Sequence, residues 1–104
     1  MNVGRQIRIY LVDGMNYYAA ALLATGDWAQ ALAIYSDALH LAREVDMPDE
    51  QALALEGIGE CRLLTQDSED GAAYLDQALQ IFRQIGMQPD AQRVEARLTQ
   101  LGGI

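Results

Sequence analysis

No lysine occurs in these 104 residues: all seven basic side chains are arginine, against fifteen Asp and Glu, for a formal charge of −8. Phosphate contacts need clustered cations, so this balance argues against nucleic acid as a partner. A single cysteine, Cys61, excludes an intrachain disulfide. Its place in the apolar run from Ile58 to Leu64 reads as a buried small hydrophobe rather than a reactive thiol. A single histidine, His40, excludes a two-histidine metal site within one chain. Its helical neighbours are Asp37 and Glu44, so it reads as a partly exposed histidine on an acidic surface. No run of eighteen apolar residues is present, nor a charged, apolar and cleavable leader, which predicts neither a membrane span nor a secretory signal and points to the cytoplasm. Gly57-x-Gly59 falls inside a predicted helix, so no glycine-rich phosphate loop exists. No catalytic or metal constellation emerges, no cofactor is expected, and the chain does not read as an enzyme.

What is present is apolar helix. Hydrophobic residues make up 51% of the chain, enough for one small core. The stretch from Thr25 to Leu41 organises the rest. Gly26 can take the positive φ that ends one helix, Asp27 can cap the next, and Gln30 stands three residues on to complete a capping box. Behind the cap, Ala31, Tyr35, Ala38 and Leu39 share a face. The alanines let a neighbouring helix approach, while Trp28, Tyr35 and Leu39 supply bulk. Upstream, Met15, Tyr18, Ala19 and Leu22 form the matching face of the preceding helix. The set recurs forty residues later, 31 to 71, 35 to 75, 38 to 78 and 39 to 79.

The expected elements are a first helix to about Thr25, a second over Trp28–Val45, a third over Asp49–Thr65, a fourth over Glu69–Ile85 and a fifth opened by Pro89. Pro48, Asp49 and Glu50 are a start signal, with proline at the first helical position and acids near its positive end. Leu55, Ile58, Gly59 and Leu63 should face inward, with Gly59 packed closely against the preceding helix. Tyr74, Leu75, Ala78, Leu79, Ile81, Phe82 and Ile85 make an apolar surface too wide for one contact. Gly86 ends that helix, and Val94, Leu98 and Leu101 give the last one a thinner stripe.

Residues 1–12 fit two periods. Ile7, Ile9 and Leu11 alternate as in a strand, yet Ile7, Leu11, Met15, Tyr18 and Leu22 make a helical stripe. Helix is favoured, because no second alternating run could pair with a strand, and Asp13-Gly14 is a candidate interruption. Leu11-Val12-Asp13-Gly14-Met15-Asn16 is also similar to a strand end at which one nuclease family holds a metal-binding aspartate. The further strands and carboxylates of that site are missing. Charge is uneven: residues 27–76 hold twelve acids and two arginines, net −10, between flanks of +1 each. An acidic middle between basic ends would favour head-to-tail or swapped association, set against an ordinary solvated acidic surface.

Gly26-Asp27-Trp28 followed by Ala31, Tyr35, Ala38 and Leu39, with its second copy, resembles the tetratricopeptide repeat. Arg62, in place of a large apolar residue, and Arg43 and Arg83, in place of a closing proline, depart from that pattern. The resemblance implies an all-α, right-handed stack of antiparallel helical hairpins, with an extension over 1–12, repeats over 13–46 and 47–86, and a capping helix over 87–101. The long period and alanine-rich, lysine-free composition are similar to arrays in large bacterial transcriptional regulators, of which this chain would be a part. The resemblance implies a protein-protein interaction scaffold whose concave groove is lined by the first helix of each hairpin. The implied exposed positions are Asn16, Tyr17, Ala20 and Leu23, then Glu56, Glu60 and Leu64, joined by Arg93 and Arg97. Such a groove suits a peptide or helical segment with basic and apolar residues. The lysine and asparagine pattern that grips a partner's terminal carboxylate in some members is missing. The alternative is self-assembly into a homo-oligomer, since two hairpins and one helix fall short of the three repeats that usually bury a continuous core, and Ile7, Ile9, Tyr10 and Leu11 could be covered by a second copy.

Overall fold

The structure, a computed structural model, describes residues 3–65 and 67–102. Its five helices are α1 Val3–Ala24, α2 Trp28–Glu44, α3 Pro48–Leu64, α4 Ser68–Gln84 and α5 Gln88–Leu101, with no strand among the described residues. The expectations for Gln66, which would open its turn without glycine, and for fraying of Gly103 and Ile104 lie outside the described residues. Neighbouring helices pack in sequence order, and α1 also touches α3, which gives a stack of antiparallel hairpins measuring 50 × 30 × 18 Å. Among the described residues no helix is long and apolar enough to cross a membrane.

One device ends α1, α2 and α4. Gly26, Asp46 and Gly86 take positive φ of 90°, 55° and 76°. The following amide then reaches back across the turn: Asp27 N–H donates to Leu22, Met47 N–H to Ala42 and Met87 N–H to Phe82, each at 2.9 Å. Orphan carbonyls are satisfied while the chain reverses. Asp46 is the unexpected member, an aspartate in a conformation that favours glycine. Asp27 and Asp67 cap the next helices, accepting from the N–H of Gln30 and of Asp70 at 3.3 Å. The capping box at Asp27 is only half made, because the Asp27 N–H that Gln30 would take is committed to Leu22. Pro48 and Pro89 stand in the first turn of α3 and α5, where a missing N–H costs nothing.

The two copies bury the same register. Ala31, Tyr35, Ala38 and Leu39 are buried, as are Gly71, Leu75, Ala78 and Leu79. Leu55, Ile58, Phe82 and Val94 join them in one continuous core, where each large side chain contributes about 1.5–3 kcal/mol. Trp28, expected to fill around this core, is instead 39% exposed at the first turn of α2.

Two further expectations about packing change. Residues 3–24 form one helix that runs unbroken through Asp13-Gly14; of the expected stripe Ile7, Leu11, Met15, Tyr18 and Leu22, Met15 and Leu22 pack against the core while Ile7, Leu11 and Tyr18 are more than half exposed. The face that turns inward carries Val12, Asn16 and Ala19. Val12 packs with Ala42 and Val45, and the Arg5 guanidinium donates to the Val45 carbonyl at 3.0 Å, so the start of α1 is tied to the α2–α3 turn. The second change concerns α3. A Cβ on Gly59 would lie 2.9 Å from the Gly71 carbonyl oxygen, so its close neighbour is the following helix α4. The glycine that admits the preceding helix is Gly57, where a Cβ would come within 2.2 Å of the Tyr35 ring.

Candidate functional site

Because α1 and α3 are the leading helices of their hairpins and touch along one side, a cleft of about 380 Å³ opens between them with Tyr35 of α2 at its base. Asn16, Tyr17, Ala20 and Leu23 line it from α1, and Glu56 and Glu60 from α3. A shallower depression adjoins it, formed by the same two glutamates with Arg93 and Arg97 of α5. Eight of the nine predicted positions thus lie along one surface. Leu64, 57% exposed at the end of α3, lines neither depression.

The character of three predicted residues differs from expectation. Asn16 is buried rather than exposed, at 6%. Its amide donates to the Glu50 carbonyl at 3.2 Å and to Glu50 Oε1 at 3.4 Å, which clips α1 to the first turn of α3. Glu56 and Glu60, expected to meet a basic partner, are already engaged within the chain. Arg93 holds Glu56 through Nε–Oε2 at 2.8 Å and Nη2–Oε1 at 2.7 Å. Arg97 holds Glu60 through Nε–Oε2 at 2.9 Å and Nη2–Oε1 at 3.1 Å. Such two-pronged pairs are stronger and more directional than single contacts. Both guanidiniums are held more firmly protonated than usual by these hydrogen bonds. Arg93 also bonds Asp90 at 2.8 Å and lies 6.0 Å over the Phe82 ring, which fixes its position.

Asp13, Tyr35, Glu50, Leu53 and Gly57 complete the cleft and were not anticipated there. Helical spacing could have found four of them. Asp13, Tyr17 and Ala20 step by four and three, and Glu50, Leu53, Gly57 and Glu60 by three, four and three, so the assigned stripes continue towards their N-termini by one turn on α1 and two on α3. Tyr35 gives no such signal, since it belongs to the core face of a different helix.

Burial governs the chemistry of the cleft. It raises the Glu50 carboxyl above the ordinary range, opposed by the Asn16 hydrogen bond and helped by the charges of Asp13 and Asp49. The Tyr35 phenol is pushed up to about 12 by burial, with Cys61 and Glu56 adding to it. Burial likewise raises the Cys61 thiol, so this cysteine is a packed hydrophobe and not a thiolate nucleophile. His40, 80% exposed, pairs with Glu44 at 3.3 Å on α2, apart from the residues that line the cleft. Among the described residues no group of His, Cys, Asp and Glu is arranged to hold a metal. The run Leu11–Asn16, with its resemblance to a nuclease strand end, lies within α1 as helix.

Comparison with known families gives one finding that spans most of the chain: the tetratricopeptide repeat family matches residues 10–86. No curated protein and no solved structure gives a match. Stacked antiparallel hairpins, small residues repeated at a fixed register and this match agree, and the chain belongs to the tetratricopeptide repeat family.

Proposed function

We propose that the chain binds a peptide or one face of a helical segment in the cleft between α1 and α3. Tetratricopeptide repeats are non-catalytic scaffolds that generally mediate protein-protein interaction. The observation that carries the reading is the cleft itself, walled by Ala20, Leu23 and Leu53, based on Tyr35 and flanked by Tyr17, which is 74% exposed. Apolar walls with a few polar groups suit apolar anchors on a partner. Selection from a random library of twelve-residue peptides on the immobilised full chain tests it. Selected peptides should lose at least tenfold in affinity to Ala20→Trp, which fills the cleft from an exposed position. Peptides that bind equally well to Ala20→Trp and Tyr17→Ala would place binding elsewhere. The resemblance of the long period and alanine-rich, lysine-free composition to arrays in large bacterial transcriptional regulators supports a place within a larger regulator of that kind.

One observation favours a second reading, self-association. Val3, Ile7, Tyr10 and Leu11 are 69%, 60%, 70% and 51% exposed on one side of α1. Contiguous exposed apolar surface of this kind marks a partner face, and pairing by a two-fold axis or by helix exchange would cover it with a second copy. Light scattering behind size exclusion distinguishes the readings. A dimer of the 11.4 kDa chain that Ile7→Glu plus Tyr10→Glu returns to monomer supports association; a monomer at every concentration removes it.

A further inference from the structure

The acids of the cleft divide into a neutralised end and an uncompensated end. Towards α5, Glu56 and Glu60 are each gripped by an arginine. Towards the start of α3, neither Asp13 nor Glu50 has a cationic partner among the described residues. Glu50 is 5% exposed, and among the described residues its carboxylate accepts a side-chain hydrogen bond only from Asn16, at 3.4 Å. Asn16 has spent its amide donor on Glu50, and its Oδ1 is buried without a hydrogen-bond partner among the described residues. Buried polar atoms are rarely left unpaired, because the lost hydration is not recovered. Asp13 adds a second carboxylate near enough to Glu50 to disfavour its ionisation. Asp13, Asn16 and Glu50 therefore line one end of the cleft, and the donor they hold among the described residues, the Asn16 amide, is already given to Glu50.

That deficit defines its complement. A ligand here must bring several N–H donors and positive charge, and it passes Tyr17, exposed one turn beyond Asp13. A guanidinium presents five donors in a rigid plane and stacks on aromatic rings, whereas an ammonium is a compact point charge with three. We propose that this end of the cleft is a pocket for an arginine side chain of the bound peptide, its guanidinium donating to Asp13, Glu50 and Asn16 Oδ1 with Tyr17 against its plane. The inference rests on the groove reading above and names the partner's anchor residue. It also moves the recognition of positive charge from Glu56 and Glu60, already satisfied, to Asp13 and Glu50, which are not.

The test is a titration of the isotope-labelled full chain with N-acetylarginine amide, followed by NMR, beside its neutral isostere N-acetylcitrulline amide and N-acetyllysine amide. Saturable shifts of the Asn16 side-chain amide and the Gly57 backbone amide are expected. Binding should weaken at least tenfold with citrulline, with Asp13→Asn and with Glu50→Gln, and should be measurably weaker with lysine. Asp13 is exposed, so Asp13→Asn keeps the test valid even if Glu50→Gln disturbs the fold. Absence of saturable shifts, equal response to citrulline, or indifference to Asp13→Asn overturns the pocket, and lysine binding as well as arginine overturns its assignment to a guanidinium. The two readings fail separately. Selected peptides blocked by Ala20→Trp but without arginine and indifferent to Asp13→Asn would refute the pocket and keep the groove. Arginine amide binding without any selected peptide would keep the pocket and refute the groove.

Discussion

The α1–α2 and α3–α4 hairpins are built on one register and packed with different residues. Ala19 and Ala31, fully buried in the first, are replaced forty positions on by Gly59 and Gly71 in the second. A Cβ on Gly71 would lie 2.8 Å from the Leu63 side chain and 2.9 Å from the Gly59 carbonyl oxygen. The second hairpin therefore has no room for the methyl groups that the first one carries. Tyr35 and Leu75 show why. At the same register, Leu75 lies against Gly59 of its own hairpin, whereas the longer Tyr35 crosses to Gly57 of the next. A repeat thus fixes where a small residue is needed, and the neighbour opposite fixes how small. Each glycine in a helix costs about 1 kcal/mol relative to alanine, which close packing here offsets.

The harshest way to break this arrangement is to fill it. Ala31→Trp or Ala38→Trp, each at a fully buried site, should abolish cooperative thermal unfolding, and native-like melting of both would contradict the packing described. Next, Gly57→Ala should destabilise by about 1–3 kcal/mol in urea titration, with most of the loss recovered when Tyr35→Leu removes the ring it strikes. Gly59→Ala should fall in the same range of about 1–3 kcal/mol, while the mirror change Ala19→Gly costs only about 1 kcal/mol. Equal costs would mean that the two hairpins are packed alike. At the turns, Asp46→Gly should stabilise by about 0.5–1 kcal/mol and Gly86→Ala destabilise by at least as much, because both positions hold positive φ.

The smallest effect lies at the cleft. Glu50 in the folded chain holds its proton more tightly than in the unfolded chain, so its contribution to stability is full below the ordinary carboxylate range and declines as pH rises through its elevated value. Glu50→Gln should flatten that decline, giving a Tm gain larger near pH 7 than near pH 4. A gain independent of pH would assign the effect to packing rather than charge.

The helices and their register were legible because caps, prolines and the spacing of small and large residues act within a few residues of each other. The cleft was legible only as a stripe. Nothing local marks Asn16 as buried, since its partner Glu50 is thirty-four positions away. Nothing local pairs Arg93 with Glu56 or Arg97 with Glu60, thirty-seven positions apart, although all four were placed on one surface. The face of α1 is legible only in part for the same reason: Met15 and Leu22 pack as their spacing predicts, but Ile7, Leu11 and Tyr18 are as apolar as any core residue, and only the position of the α2–α3 turn selects Val12 in their place.

By itself the sequence determined α2 to α5, their turns, the forty-residue register and the family, and favoured helix over strand at the start of α1, since each follows from backbone preferences and periodic burial. The tertiary structure alone decided which acids are paired with an arginine and which, among the described residues, are not. Ion pairs and buried polar atoms depend on the angles between stacked helices, and those angles are set by how closely a glycine, a tyrosine ring or a leucine lets the next helix approach.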